Sequence, residues 1–120
     1  MTKQEKIKLN AKKDLNKTIP IDKVWDTVVD YFNIDPDLLR SKTNRREIIV
    51  PRHVFFYLCK KYTNATLSHI GRYASNENFD FDHSTVHTAI KKINSIIDFQ
   101  IDYRMPIECI TEILDKTYKQ

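Results

Sequence analysis

Residues 66–93, with the sequence TLSHIGRYASNENFDFDHSTVHTAIKKI, have the pattern of two helices joined by a polar connector. In the second half, apolar side chains recur at helical spacing, at Val86, Ala89, Ile90, Ile93 and then Ile97. Asp82 comes directly before this run and is predicted to be its N-cap. The stretch therefore predicts a helix-turn-helix whose second helix begins with short polar side chains.

The first helix of the pair is predicted to begin after the N-cap Thr66. Its inward-facing positions are Leu67, Ile70 and Ala74. Gly71 lies where a side chain would obstruct a close approach of the next helix. The connector, residues 75–81, contains Phe79 and Phe81, and we expect it to fold back on the core.

Apolar periodicity predicts more helices on both sides of this pair. The most regular run follows Pro20, with apolar residues at Ile21, Val24, Trp25, Val28, Val29 and Phe32. Asp35 and Pro36 have the pattern of an N-cap and first helical position, opening a short turn that holds Leu38 and Leu39. A longer helix is predicted from about Glu47 or Val50 to Tyr62, with Arg52 on its polar side.

The last predicted helix starts near Pro106, and its apolar stripe is Ile107, Ile110, Ile113 and Leu114. Before the first regular helix, residues 1–18 form a lysine-rich segment with a thin stripe at Ile7, Ala11 and Leu15. The sequence thus predicts an all-α, compact helical bundle over residues 19–120, preceded by this segment.

Composition limits the classes of function. With 120 residues the chain fits one domain, and its single glycine excludes the glycine-rich loop of a nucleotide-binding fold. No apolar run approaches the roughly 20 residues of a membrane span and no secretory signal is present, so we expect a cytoplasmic protein. Cys59 and Cys109 lie in apolar helical patterns, which favours reduced thiols.

Positive charge is concentrated in two stretches. Residues 1–17 carry six lysines against two acidic residues, and residues 40–61 carry seven basic residues against Glu47. Such a distribution is typical of a surface that binds a polyanion, and it equally fits solvated helix faces.

No catalytic constellation is recognisable. His83 and His87 have the spacing that allows two imidazoles to share a zinc ion, but no third ligand is evident, so an incidental helical pair is the simpler interpretation. Residues as close in sequence as Asp82, His83 and Ser84 cannot form a hydrolase triad. We therefore expect neither an enzyme, nor a cofactor, nor a small-molecule substrate.

The pattern supports DNA binding better than any other function. The start of the second helix presents the short hydrogen-bonding side chains that contacts to base edges in a major groove require. Upstream, the loop 40–46 is basic and has no apolar periodicity, which predicts an exposed segment that reaches a minor groove or phosphates. Helix pairs with a basic face also occur in proteins that never bind DNA.

Several motifs together resemble the C-terminal DNA-binding domain of the bacterial replication initiator DnaA. They are Asp37-Leu-Leu-Arg-Ser-Lys42, Pro51-Arg-His-Val-Phe-Phe-Tyr-Leu58, Thr66-Leu-Ser-His-Ile-Gly71 and Asp82-His-Ser-Thr-Val86. The resemblance implies an all-helical domain that binds a short duplex element, the DnaA box. Double-stranded DNA is then the expected partner, with replication proteins as further partners.

The resemblance also implies roles for individual residues. It assigns base contacts to Asp82, His83, Ser84 and Thr85, and the minor-groove loop to Lys42, Asn44, Arg45 and Arg46. Together with the charge pattern, it predicts phosphate contacts at Arg52, His53, Lys60, Ser68, Lys91 and Lys92.

The chain departs from the family pattern at three places. Thr43 and Asn44 stand where basic residues usually follow the Ser-Lys pair, His53 stands where Gln is frequent, and Phe81 replaces an arginine before Asp82. The connector 75–81 is also longer than the family's. An alternative function is therefore a non-catalytic interaction or regulatory module of phage or mobile-element type that kept the fold and lost box recognition.

Overall fold

A computed structural model describes residues 19–78 and 80–118. The predicted stripe of Ile7, Ala11 and Leu15, and the connector residue Phe79, lie outside the described residues. The helices are α1 Ile21–Phe32, α2 Pro36–Leu39, α3 Arg46–Tyr62, α4 Leu67–Tyr73, α5 His83–Ile96 and α6 Ile101–Tyr118. The prediction of an all-α bundle containing a helix-turn-helix is confirmed.

The long helix α3 lies at the centre, and α1, α2, α4, α5 and α6 all pack against it. Most of its circumference is buried, with Ile48, Val50, Val54, Phe55, Phe56, Leu58, Cys59 and Tyr62 in the core. Trp25 of α1 packs edge-on against Phe55, with ring centroids 4.9 Å apart. Because aromatic side chains bury large apolar areas, this contact joins α1 firmly to the central helix.

Local capping explains where three helices begin. The Asp35 carboxylate accepts from the Asp37 N–H at 2.9 Å, and the Thr66 hydroxyl accepts from the His69 N–H at 3.1 Å. Each bond satisfies an N–H that has no partner inside the helix. The predictions for these caps are confirmed, as is the N-cap at Asp82.

The prediction for the last helix is partly wrong. It begins at Ile101, and Pro106 lies inside it. The buried stripe includes Tyr103, whereas Ile113 is 44% exposed. Ile110 and Leu114 are about one turn apart and both face inward, whereas position 113 is rotated by about 100° from position 114, which turns Ile113 away from the centre of the buried stripe.

The leucines of α2 and the two cysteines differ in burial. Leu39 is buried, whereas Leu38 is 40% exposed. Cys59 is buried and Cys109 is half-buried, and both are free thiols.

Within residues 19–78 and 80–118, no helix combines the length and apolar character that a membrane span requires.

Candidate nucleic-acid interface

The four side chains predicted to contact bases lie together at the exposed start of α5. Asp82 is the N-cap, and its Oδ1 accepts from both the N–H of Thr85 at 2.9 Å and the hydroxyl of Thr85 at 3.1 Å. These bonds hold the pKa of the Asp82 carboxyl below its usual value, with a smaller contribution from His83. Asp82 is therefore ionised, and the Thr85 hydroxyl is oriented, before any ligand arrives.

A shallow groove of about 370 Å³ lies beside this helix start. It is lined by His53, Asp82, Ser84, Thr85, Thr88, Ala89 and Lys92. The structure thus brings His53 and Lys92, predicted as phosphate contacts, next to three of the four predicted base contacts. His83 is exposed at the same helix start but does not line the groove.

His53 is a half-buried member of this groove. Its Nδ1 lies 3.4 Å from the hydroxyl of Tyr103, and its ring stacks between those of Phe56 and Tyr103, each with a centroid separation of 6.4 Å. Burial, helped by the charges of Lys92 and Arg52, lowers the pKa of His53 from 6.5 to about 4. The imidazole is consequently neutral at pH 7.

The basic loop presents fewer free cations than its sequence indicates. Lys42 and Asn44 are exposed, but Arg45 forms an ion pair with Glu47 at 2.6 Å. Arg46 is the first residue of α3 and pairs with Asp102 of α6. Both pairs are exposed, so a stronger anion can compete for either guanidinium.

Arg40, at the start of the loop, is anchored to the core. Its Nε donates to the carbonyl of Tyr73 at 2.9 Å, and its guanidinium lies 4.2 Å from the centroid of Trp25. The prediction of an exposed loop is therefore wrong for this residue, because two aromatic rings and a carbonyl hold it.

Arg52 was predicted on the polar side of α3, and that placement is wrong. The residue is only 5% exposed. Its Nε, Nη1 and Nη2 donate to the carbonyls of Leu39, Thr43 and Ser41. A guanidinium oriented in this way stabilises the loop and does not face solvent.

The remaining predicted phosphate contacts lie on three different helices. Lys60 is in the last turn of α3, Ser68 in the first turn of α4, and Lys91 on α5; all three are exposed. The described part of the chain contains no group of three or more His, Cys, Asp or Glu side chains that could hold a metal ion. His83 and His87 have no third protein ligand among these residues.

Two residues of this region could not be identified from the sequence, and a third was identified only in part. Tyr103 and Asp102 reach the site from α6, about 50 positions away from their partners His53 and Arg46. Thr88 is recognisable only as a member of the polar face of α5. A residue that contacts the site from a distant helix cannot be recognised from the sequence around the site. The place of Thr88 beside the groove can be predicted from helical spacing once the groove is known.

Comparisons with known proteins agree with this geometry. A family model described as bacterial dnaA protein helix-turn-helix matches residues 21–93, from α1 through most of α5. The chromosomal replication initiator protein DnaA of Flavobacterium psychrophilum is 29% identical over 102 residues, which are 85% of this chain and 20% of that protein. DnaA of Deinococcus deserti is 41% identical over 66 residues, 55% of this chain and 13% of the relative. The chain spans about a fifth of the length of the first relatives it matches.

Proposed function

Because this chain belongs to the bacterial DnaA helix-turn-helix family, we propose that it binds double-stranded DNA in the manner of a replication initiator and reads a DnaA-box-like site. The observation that carries the proposal is the exposed, capped start of α5, where four polar side chains stand in consecutive positions. Side chains in the first turn of a recognition helix are the ones that reach base edges in the major groove.

Each of these side chains has a chemical role in the proposal. The ionised Asp82 accepts a hydrogen bond from an exocyclic amine of cytosine or adenine. The proton of the Thr85 hydroxyl is engaged by Asp82, so Thr85 offers its oxygen lone pairs and its methyl group to the bases. His83 and Ser84 contact neighbouring base edges.

Phosphate contacts come from lysines and from neutral hydrogen-bonding side chains around this helix. Lys92 and the neutral His53 flank the groove beside α5. Lys60 and Lys91 and the hydroxyl of Ser68 extend the contact along the backbone. The exposed loop residues Lys42, Asn44, Arg45 and Arg46 approach the minor groove, and the arginines exchange their carboxylate partners for DNA.

A titration tests the proposal directly. Affinity is measured for a duplex that carries a DnaA box from the replication origin of a relative and for a scrambled duplex of equal composition, at several salt concentrations. We expect tighter binding to the box, with a slope of log affinity against log salt near −4.5 if about five phosphates are contacted. Equal and weak affinity for both duplexes at every salt concentration contradicts box reading.

One observation favours a second candidate, the interaction module without box recognition. Glu47 and Asp102 neutralise the two arginines that would enter a minor groove. Charge reversal at Arg45 and Arg46 separates the candidates: it abolishes box binding if the arginines contact DNA, and leaves the biological interactions of the chain intact if they do not.

A further inference from the structure

The guanidinium of Arg52 touches two elements that the proposed function assigns to different grooves. On one side, its three nitrogens each donate to a carbonyl of the segment 39–43, which leads into the basic loop. On the other side, its carbon Cζ lies 4.7 Å from the ring centroid of Phe81. Phe81 is the residue directly before the N-cap of α5.

Phe81 is itself held in place. Its N–H donates to the hydroxyl of Ser75 at 2.8 Å, and its ring packs edge-on against Phe56 of α3, with centroids 5.9 Å apart. The Ser75 hydroxyl in turn donates to the carbonyl of Gly71 at 2.6 Å. Phe81 is thus joined to the start of the connector through its N–H and to α3 through its ring.

The environment of Arg52 favours a structural role over a direct phosphate contact. The side chain is buried and its three nitrogens already have acceptors. In residues 19–78 and 80–118 no carboxylate lies within ion-pair distance of it. Carbonyl dipoles and an aromatic face stabilise the charge in place of a counterion.

We propose that Arg52 is a positioning residue that couples the minor-groove loop to the start of the recognition helix through Phe81. The inference rests on the proposed function for its consequence in DNA reading, but the coupling is a property of the free protein. A planar guanidinium spreads its donors over three nitrogens, so it reaches three carbonyls while its flat face lies on a ring. The ammonium of lysine carries its three donors on one nitrogen and has no flat face, so it cannot reproduce this arrangement. Loop and helix start are thus held in one relative orientation before DNA binds.

The first experiment compares Arg52→Lys with the wild type in binding to the box duplex and the scrambled duplex. A direct phosphate contact tolerates lysine, because lysine keeps the charge; a three-carbonyl clamp does not. We expect the ratio of box affinity to scrambled affinity to fall about fivefold or more. Phe81→Leu should lower the affinity ratio as well. Because the two residues act through one contact, the fall in the ratio for the double variant should be smaller than the product of the falls for the two single variants.

Arg104→Lys is the matched control. Arg104 also donates a guanidinium hydrogen bond to a carbonyl, that of Asp98 at 3.2 Å, but on α6. It should leave the affinity ratio unchanged. If the wild type prefers the box duplex and Arg52→Lys keeps the same ratio, Arg52 acts as an interchangeable point charge and the coupling is disproved.

The second experiment needs no DNA and remains decisive if box reading fails. Amide hydrogen exchange is followed at Arg45, whose N–H donates to the Thr43 hydroxyl, and at Phe81, whose N–H donates to Ser75. Relative to amides at the centre of α3, which report global unfolding, Arg52→Lys should speed exchange at both positions by about fivefold or more. Faster exchange at Arg45 alone, or at neither position, overturns the proposal.

Discussion

Gly71 and Phe81 approach so closely that a Cβ at position 71 would lie 1.9 Å from the carbonyl oxygen of Phe81. The obstructing atom belongs to the backbone, so no side-chain rotation can make room. The sequence had predicted a close approach at Gly71. The structure shows that the connector makes the tightest contact. The next element, α5, is further away, since the same Cβ would lie 3.3 Å from Cγ2 of Val86.

This contact predicts that Gly71→Ala destabilises the domain by about 2–3 kcal/mol, because an added methyl group forces the connector away from α4. Urea unfolding followed by circular dichroism measures the free energy difference. Ser68→Ala, on an exposed position of the same helix, should change it by less than about 0.5 kcal/mol. An alanine variant as stable as the wild type would show that the connector can move freely.

The side chains at the start of α5 predict a separation of specificity from affinity. His83→Ala and Thr85→Val remove hydrogen-bonding groups that we assign to base edges. Each should lower the ratio of box to scrambled affinity about tenfold, the typical worth of one good base contact. Lys60→Ala should weaken binding to both duplexes alike, because phosphate contacts do not depend on sequence. Uniform weakening by all three substitutions would place α5 outside the major groove.

The position of Lys92 leads to a prediction about the salt dependence of DNA affinity. Lys92 lines the groove beside α5, and its replacement by alanine should reduce the slope of log affinity against log salt by about 0.9, the value for one phosphate contact. Lys116 of α6 pairs with Glu112 at 3.0 Å and serves as the control. Its alanine variant should leave the slope unchanged. If Lys92→Ala leaves the slope unchanged, Lys92 does not contact a phosphate.

His53 predicts a pH dependence of stability. Burial lowers its pKa from 6.5 in the unfolded chain to about 4 in the folded domain, so the unfolded chain binds more protons between these values. The contribution of neutral His53 to the free energy of unfolding is fully present above pH 6.5 and is lost as the pH falls towards 4. After allowance for the partial exposure of the ring, the loss is on the order of 2 kcal/mol.

The matched variant is His53→Gln, which keeps a hydrogen-bonding group without a titration in this range. Thermal unfolding of both proteins is measured from pH 7 to pH 4. The stability of the wild type should fall by more than that of the variant over this range. Parallel curves would mean that burial and the charges of Lys92 and Arg52 do not disfavour the protonated ring. In the complex, a phosphate beside His53 should raise its pKa, so box affinity of the wild type should increase on acidification more than that of the variant.

Helix positions in the centre of the chain were predictable because they depend on neighbours in sequence. The caps at Asp35, Thr66 and Asp82 each bond a backbone N–H two or three residues away. The start of α6 was not predictable in the same way. Pro106 has the local pattern of a helix start, and the turn before it is helical because Tyr103 is buried in the core.

Within the candidate site, the sequence predicted that Asp82, His83, Ser84 and Thr85 would stand together at a helix start, and they do. Their assignment to bases remains a prediction. The cations were predicted less well. Residue type and charge indicated Arg52 as a solvent-facing contact, whereas its acceptors are carbonyls at positions 39, 41 and 43.

The sequence by itself determined which segments are helical and which side chains begin α5, because capping and amphipathic spacing act over three or four residues. Tertiary structure decided which positive charges are available to a ligand. Arg40 is held by the carbonyl of Tyr73, 33 positions away, and Arg52 by the carbonyl of Leu39, 13 positions away. A charge becomes unavailable when burial and a fixed partner replace its water, and both depend on residues that only the folded chain brings together.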